Sequence, residues 1–217
     1  MDQMSVTGYS DRINHALAYA AKHHAQQVWK GSSRVPYFTG PANVAVILTR
    51  YGQDDDTVVA AVLHDVVADC VRDGQTAQTL EQRIGEKFGS DSLAALVAIV
   101  ERRADDDGVE MSMEERKADT LARLATADDR ARWILAAYTL HAGSSLLADV
   151  RRTAYPETVW GRFTSGRDEV AISYRRTIDR LAEVGFTAPI MRELASVVDA
   201  LEQLAAEDSS SAPRLAR

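Results

Sequence analysis

His64 and Asp65 stand side by side in the run Val62-Leu63-His64-Asp65-Val66-Val67-Ala68-Asp69, which is otherwise almost wholly apolar. Imidazole and carboxylate are both ligands of divalent metals, and a metal so held makes a hydroxide nucleophile from water near neutral pH. The plainer reading is a buried polar pair in which each group satisfies the other. Asp69, one helical turn beyond Asp65, is a candidate for acid/base work or simply the residue that ends the helix. Tyr138 and His141 are three apart, with Ser145 one turn further, so on a helix they share a face. Tyr138, His141 and Asp65 together would make an ionisable trio. Lys30 and Arg34 flank the turn Gly31-Ser32-Ser33, where the two cations and Ser32 could hold a phosphate. Trp29 beside them is either core packing or a platform for a stacked base.

The elements that must position these groups are helical. Ile13, Leu17, Ala20, Ala21, His24 and Val28 recur at three- and four-residue steps and predict an amphipathic helix from about 10 to 29. The segment from Gly31 to Pro36 breaks it. Further helices are predicted at about 41–51, with Pro41 in its first turn, and at 54–69, opened by the acidic run Asp54-Asp55-Asp56. Others follow at about 79–88, 91–103, 112–124, 128–152, 165–184 and 188–207. Ser112 and Glu115 have the spacing of a capping box. The expectation is an all-α, single-domain helical bundle over 8–186. A C-terminal helix over 187–207 would pack on it, and a disordered tail would cover 208–217.

With 217 residues, 46% of them hydrophobic, the chain can bury one sizeable core. Its net charge of -7 argues against non-specific nucleic-acid binding, which needs a dense basic face. A lone cysteine, Cys70, excludes an internal disulfide framework and fits a reducing compartment. No signal peptide is expected, and no apolar run reaches the roughly 20 residues needed to cross a bilayer. A cytoplasmic location without membrane or nucleic-acid partners is the expectation.

Several short motifs occur in order: His24-Ala-Gln-Gln-Val-Trp-Lys30, Pro36-Tyr37, Pro41-Ala-Asn-Val-Ala45, His64-Asp65-Val-Val-Ala-Asp69 and Phe88-Gly89. In order and spacing this chain resembles the HD superfamily, specifically the small RelA/SpoT-type alarmone hydrolases, over about residues 10 to 150. The family pattern reads HxGQxRK, PYxxHP, HDVVEDT, FG and later ADRLHN. The resemblance implies a helical fold, a bound Mn2+ ion, and removal of pyrophosphate from the 3′ position of guanosine tetraphosphate.

Carried over position by position, the resemblance divides. His64 and Asp65 match two metal ligands. The histidine of PYxxHP falls at Gly40, and the last aspartate ligand falls at Tyr138 when Leu140-His141 is set on the family's Leu-His. The acidic pair that handles the attacking water reads Ala68-Asp69, so its glutamate is missing. The base-packing arginine is Trp29, Lys30 is kept, and the asparagine of ADRLHN is Ala142. Gly40 has no side chain to donate, and a phenol with a reference pKa near 10 is a poor ligand at neutral pH. Losing two ligands should weaken metal binding by well over the 10–100-fold typical of losing an outer supporting contact. The expectation is therefore a catalytically degenerate protein with a vestigial His64–Asp65 metal site and no cofactor. It would bind a nucleotide, another phosphorylated ligand or a partner protein through Trp29, Lys30, Ser32 and Arg34. Two alternatives stay open. One is an active Mn2+-dependent phosphohydrolase with substitute ligands. The other is a metal-independent enzyme using Tyr138, His141 and Asp65, with Asp69, as acid/base groups. A ring of Tyr138 filling the place of the ion, its hydroxyl on Asp65 or His64, is a further expectation.

Overall fold

A computed structural model of the chain describes residues 8–28, 35–71 and 76–210. Regular structure among these residues is helical throughout, with ten α-helices and two isolated antiparallel bridges, Val28 with Pro36 and Ala104 with Glu110. The all-α expectation is met. The contacts divide the chain into two compact units, residues 1–137 and 138–217. The division falls inside one long helix.

The first unit holds α1 (Asp11–His23), α2 (Thr39–Arg50), α3 (Asp55–Asp69), α4 (Ala77–Phe88), α5 (Ser90–Ile99), α6 (Met113–Arg123) and the opening turns of α7 (Asp129–Arg152). Its axis is α3. Val58, Val59, Ala60, Ala61, Val62, Leu63 and Val66 are fully buried, so this helix is apolar on every side and must be enclosed. Helices α1, α2, α4 and α5 enclose it. Its start is fixed by Asp54, whose carboxylate accepts from the Thr57 N–H at 2.9 Å. Ser10 caps α1 in the same way, accepting from the Ile13 N–H at 3.2 Å. Gly89 adopts φ 99° between α4 and α5, a left-handed turn that favours glycine and lets the two helices fold back on each other.

Helix α6 is attached differently. The capping box is present, with Ser112 and Glu115 bonded reciprocally at 3.3 and 2.7 Å. Yet no residue of α6 is buried. Polar contacts hold it: Arg102 pairs with Asp119, and Arg123 donates to the carbonyls of Val97, Ala98 and Val100 at the end of α5.

The second unit contains the rest of α7, then α8 (Pro156–Trp160), α9 (Arg167–Glu183) and α10 (Ile190–Ser210). Leu146, Leu147, Val150, Val159, Trp160, Val170 and Leu201 form its core. Gly143 is buried, and a Cβ there would lie 3.0 Å from a Val197 methyl group, so a small residue is needed for α10 to approach. Arg175 bridges α9 to Glu202 of α10 at 2.7 and 3.0 Å.

Two departures from the predicted elements have physical causes. Helix α1 stops at His23 rather than near 29: the His24 N–H closes the last turn on Ala20, and Val28 leaves to pair with Pro36. Helix α8, with Pro156 in its first turn, is absent from the predicted set because five residues carry too little periodicity. At the C-terminus α10 runs to Ser210, three residues into the expected tail; residues 211–217 lie outside the described ones.

Candidate functional site

His64 and Asp65 lie in the last two turns of α3, held there by the apolar packing of the helix. Asp65 is buried at 7% exposure. The His64 Nδ1 and Asp65 Oδ1 are 2.9 Å apart, and the His64 ring makes a second hydrogen bond to the Ile99 backbone. Burial disfavours the imidazolium, but the bond and charge of Asp65, the Ile99 backbone and the charge of Asp69 together raise the His64 pKa.

The polar cluster around them is larger than the doublet and is centred on a residue the sequence left without a role. The Tyr37 hydroxyl donates to Asp69 Oδ2 at 2.8 Å, and Asp65 is near enough to act on it electrostatically. Burial, then the charges of Asp65 and Asp69 and the hydrogen bond to Asp69, push the Tyr37 phenol far above its ordinary value. It therefore stays a hydroxyl at neutral pH and donates its one proton to Asp69.

The loop end that presents Tyr37 is tied down from behind. Its N–H donates to the Gln27 carbonyl at 2.9 Å, and the Gln27 amide nitrogen donates to the Asp69 carbonyl at 3.2 Å. That second bond fixes which end of the amide is oxygen, and this oxygen takes a short hydrogen bond from His24 Nδ1. His24 is 1% exposed, and its ring packs on Tyr37 with 4.9 Å between centroids. Its other nitrogen, Nε2, is buried and has no hydrogen-bond partner among the described residues. Cys70 Sγ lies 3.7 Å from His24 Nδ1, a small buried group closing the same corner.

The residues present do not fit a divalent ion in this arrangement. Gly40, where the family pattern has a histidine, is buried and contributes no donor. Among the described residues no three His, Cys, Asp or Glu side chains gather as a set able to hold a metal.

The other expected site residues fall elsewhere. Trp29, Lys30, Ser32 and Arg34 lie outside the described residues. Tyr138 and His141 belong to the second unit, both half-buried on α7, and His141 Nδ1 shares a 3.1 Å hydrogen bond with the Ser145 hydroxyl. The shared face predicted for them is present. At the end of α3 the Tyr37 hydroxyl is bonded to Asp69. The signal for Tyr37 and Gln27 was available in the motifs that hold them, but no spacing rule links a tyrosine to an aspartate 32 residues away.

A family model described as an HD domain matches residues 16–159. Over 79 residues the chain is 33% identical to a guanosine-3′,5′-bis(diphosphate) 3′-pyrophosphohydrolase of Aquifex aeolicus, covering 36% of this chain and 11% of that protein. Over 77 residues it is 38% identical to the GTP pyrophosphokinase rsh of Brucella ovis, covering 36% of this chain and 10% of that protein. The matched segment thus spans about a tenth of these curated relatives. A solved structure described as a metazoan ortholog of SpoT that hydrolyses ppGpp superposes with a TM-score of 0.67 at 25% identity, covering 88% of this chain and 96% of that one. A Listeria monocytogenes EGD-e protein superposes at 0.61 and 24% identity, over 76% of this chain and 99% of that one.

Proposed function

From the premise that this chain belongs to the HD domain family, related to the alarmone hydrolases, we propose that it is a catalytically degenerate member that binds a guanine nucleotide or a similar phosphorylated ligand without metal-dependent hydrolysis. The observation that supports this reading is Gly40, buried where the family pattern has a ligand histidine and without a donor to offer, with no three His, Cys, Asp or Glu side chains gathered to hold a metal among the described residues. Asp69, the acid kept from the pair that would handle a water, takes a hydrogen bond from the Tyr37 hydroxyl. His64 lies against the Asp65 carboxylate at 2.9 Å. Trp29 would stack on the base, while Lys30, Ser32 and Arg34 would take the phosphates. The protein would act in the cytoplasm. Among the described residues, no helix is long and apolar enough to cross a membrane.

The second reading, a working Mn2+-dependent phosphohydrolase, is favoured by the similarity to proteins named for that activity. One experiment separates the two. Chelator-stripped protein is incubated with guanosine tetraphosphate, with and without Mn2+; binding is followed by calorimetry and pyrophosphate release by a coupled assay. Binding without release is expected. Release that needs Mn2+ and disappears in Asp65→Ala would replace the proposal with the hydrolase reading.

A further inference from the structure

The segment that follows α5 brings a cation to the end of α3. Its backbone is fixed at the base of a short hairpin, where the Met111 N–H donates to the Arg103 carbonyl at 2.9 Å and Ala104 pairs with Glu110. From there the Arg103 guanidinium donates to the Ala68 carbonyl at 3.2 Å, in the last turn of α3. A cation suits that place, because unsatisfied carbonyls leave a helix partly negative at its C-terminus. One such bond uses only part of a guanidinium, whose N–H donors form a planar fork. Arg102, Arg116, Arg123 and Arg130 of the same unit each face a carboxylate. Arg103 is exposed, and among the described residues its side chain is bonded to a carbonyl alone. Ala68 stands where the family pattern has a glutamate, so the residue that anchors this guanidinium offers it no acid.

We propose that Arg103 is a specificity-determining residue for the phosphorylated ligand: the Ala68 carbonyl holds one edge of its guanidinium, and the remaining N–H groups take the oxygens of a phosphate. The inference rests on the nucleotide-binding reading above and deepens it, by giving the phosphate a partner among the described residues. A planar fork matches two phosphate oxygens at once, which an ammonium does not. Asp69, the residue after the anchor, is exposed, so an anion arriving at this end of α3 needs a cation to offset that carboxylate. Arg103 supplies it. Its backbone and one edge of its side chain are already held, so little freedom is lost when it grips an anion.

The test is calorimetric titration of chelator-treated protein with guanosine tetraphosphate, in wild type, Arg103→Gln and Arg192→Gln. Glutamine at 103 keeps an N–H group for the Ala68 carbonyl and removes the charged fork. Arg192 is exposed on α10, in the second unit, and its replacement makes the same change in net charge. Binding is expected to weaken about tenfold or more in Arg103→Gln, as the loss of a charge-assisted hydrogen bond implies. It should change by no more than about twofold in Arg192→Gln, because salt screens net charge. An equal loss in the two variants, or none in Arg103→Gln, would overturn the assignment. If wild type binds no guanosine tetraphosphate, the nucleotide reading fails by itself, and inorganic pyrophosphate then judges Arg103. The Arg103 Nε–H proton resonance, assigned by its loss in Arg103→Gln, shifts on saturation with pyrophosphate if the guanidinium takes phosphate. A resonance that stays in place refutes the anion contact.

Discussion

The two ends of α3 treat their carboxylates in opposite ways. At the N-terminal end Asp54 is clasped by the Arg130 guanidinium at 2.8 Å, and Asp56 by Arg12 at 2.5 Å, with Ser92 adding a 2.7 Å bond. Arginine is always charged, so these acids are permanently neutralised. At the C-terminal end Asp65 and Asp69 face a tyrosine hydroxyl and an imidazole, partners that can be displaced or can change protonation. Both pairs of acids look alike in sequence. The partner distinguishes them: a fixed cation marks a structural joint, and an exchangeable donor marks a place where something else can bind.

That contrast can be broken by measurement. Asp56→Ala has the largest expected effect. It leaves the fully buried Ser92 hydroxyl without its carboxylate acceptor and takes the ion-pair partner from Arg12, which keeps the Phe88 carbonyl, at a cost of roughly 2 kcal/mol read from the urea midpoint. Asp54→Ala removes a helix cap as well as the Arg130 contact and should cost about 1 kcal/mol. Asp69→Asn, on the exposed end, should change stability by less than ~0.5 kcal/mol while altering what the site binds. An Asp69→Asn loss larger than that of Asp54→Ala would erase the distinction between the two ends.

Acid titration sharpens the same comparison with a smaller signal. Burial raises the Asp54 pKa, but the hydrogen bonds from Arg130 and Thr57 outweigh it and hold the carboxyl at about 2, below the ~3.9 of an unfolded chain. The unfolded state therefore takes up a proton first as pH falls. The stabilisation from this group is complete above about pH 4 and is lost as pH falls toward 2. In Arg130→Ala the fall in thermal midpoint between pH 4 and 2 should be shallower, because the folded pKa moves back toward the unfolded one. An unchanged slope would mean that Arg130 does not set it.

Most helices were legible because their apolar spacing is regular, and α3 was legible as a site because a His-Asp doublet is conspicuous in an apolar run. The end of α1 was not, because His24 and Val28 continue the helical spacing while their contacts, with Gln27, Tyr37 and Pro36, pull the chain out of the helix. The role of Tyr37 was illegible for a related reason. It arises from a loop returning across the end of α3, and periodicity reports which face a residue occupies but not what arrives opposite it. Gly40 shows the reverse case, since its lack of a side chain can be read from the letter alone.

The way α6 is attached has a consequence for how the chain tolerates change. A helix with no buried residue, clamped by guanidinium groups on exposed and half-exposed positions, loosens as ionic strength screens those charges, while an apolar core does not. Its amides should exchange with deuterium before those of α3, and sooner in high salt. A protease should make its first cut there. The same segment is where an inserted peptide or a new pair of termini would disturb the protein least.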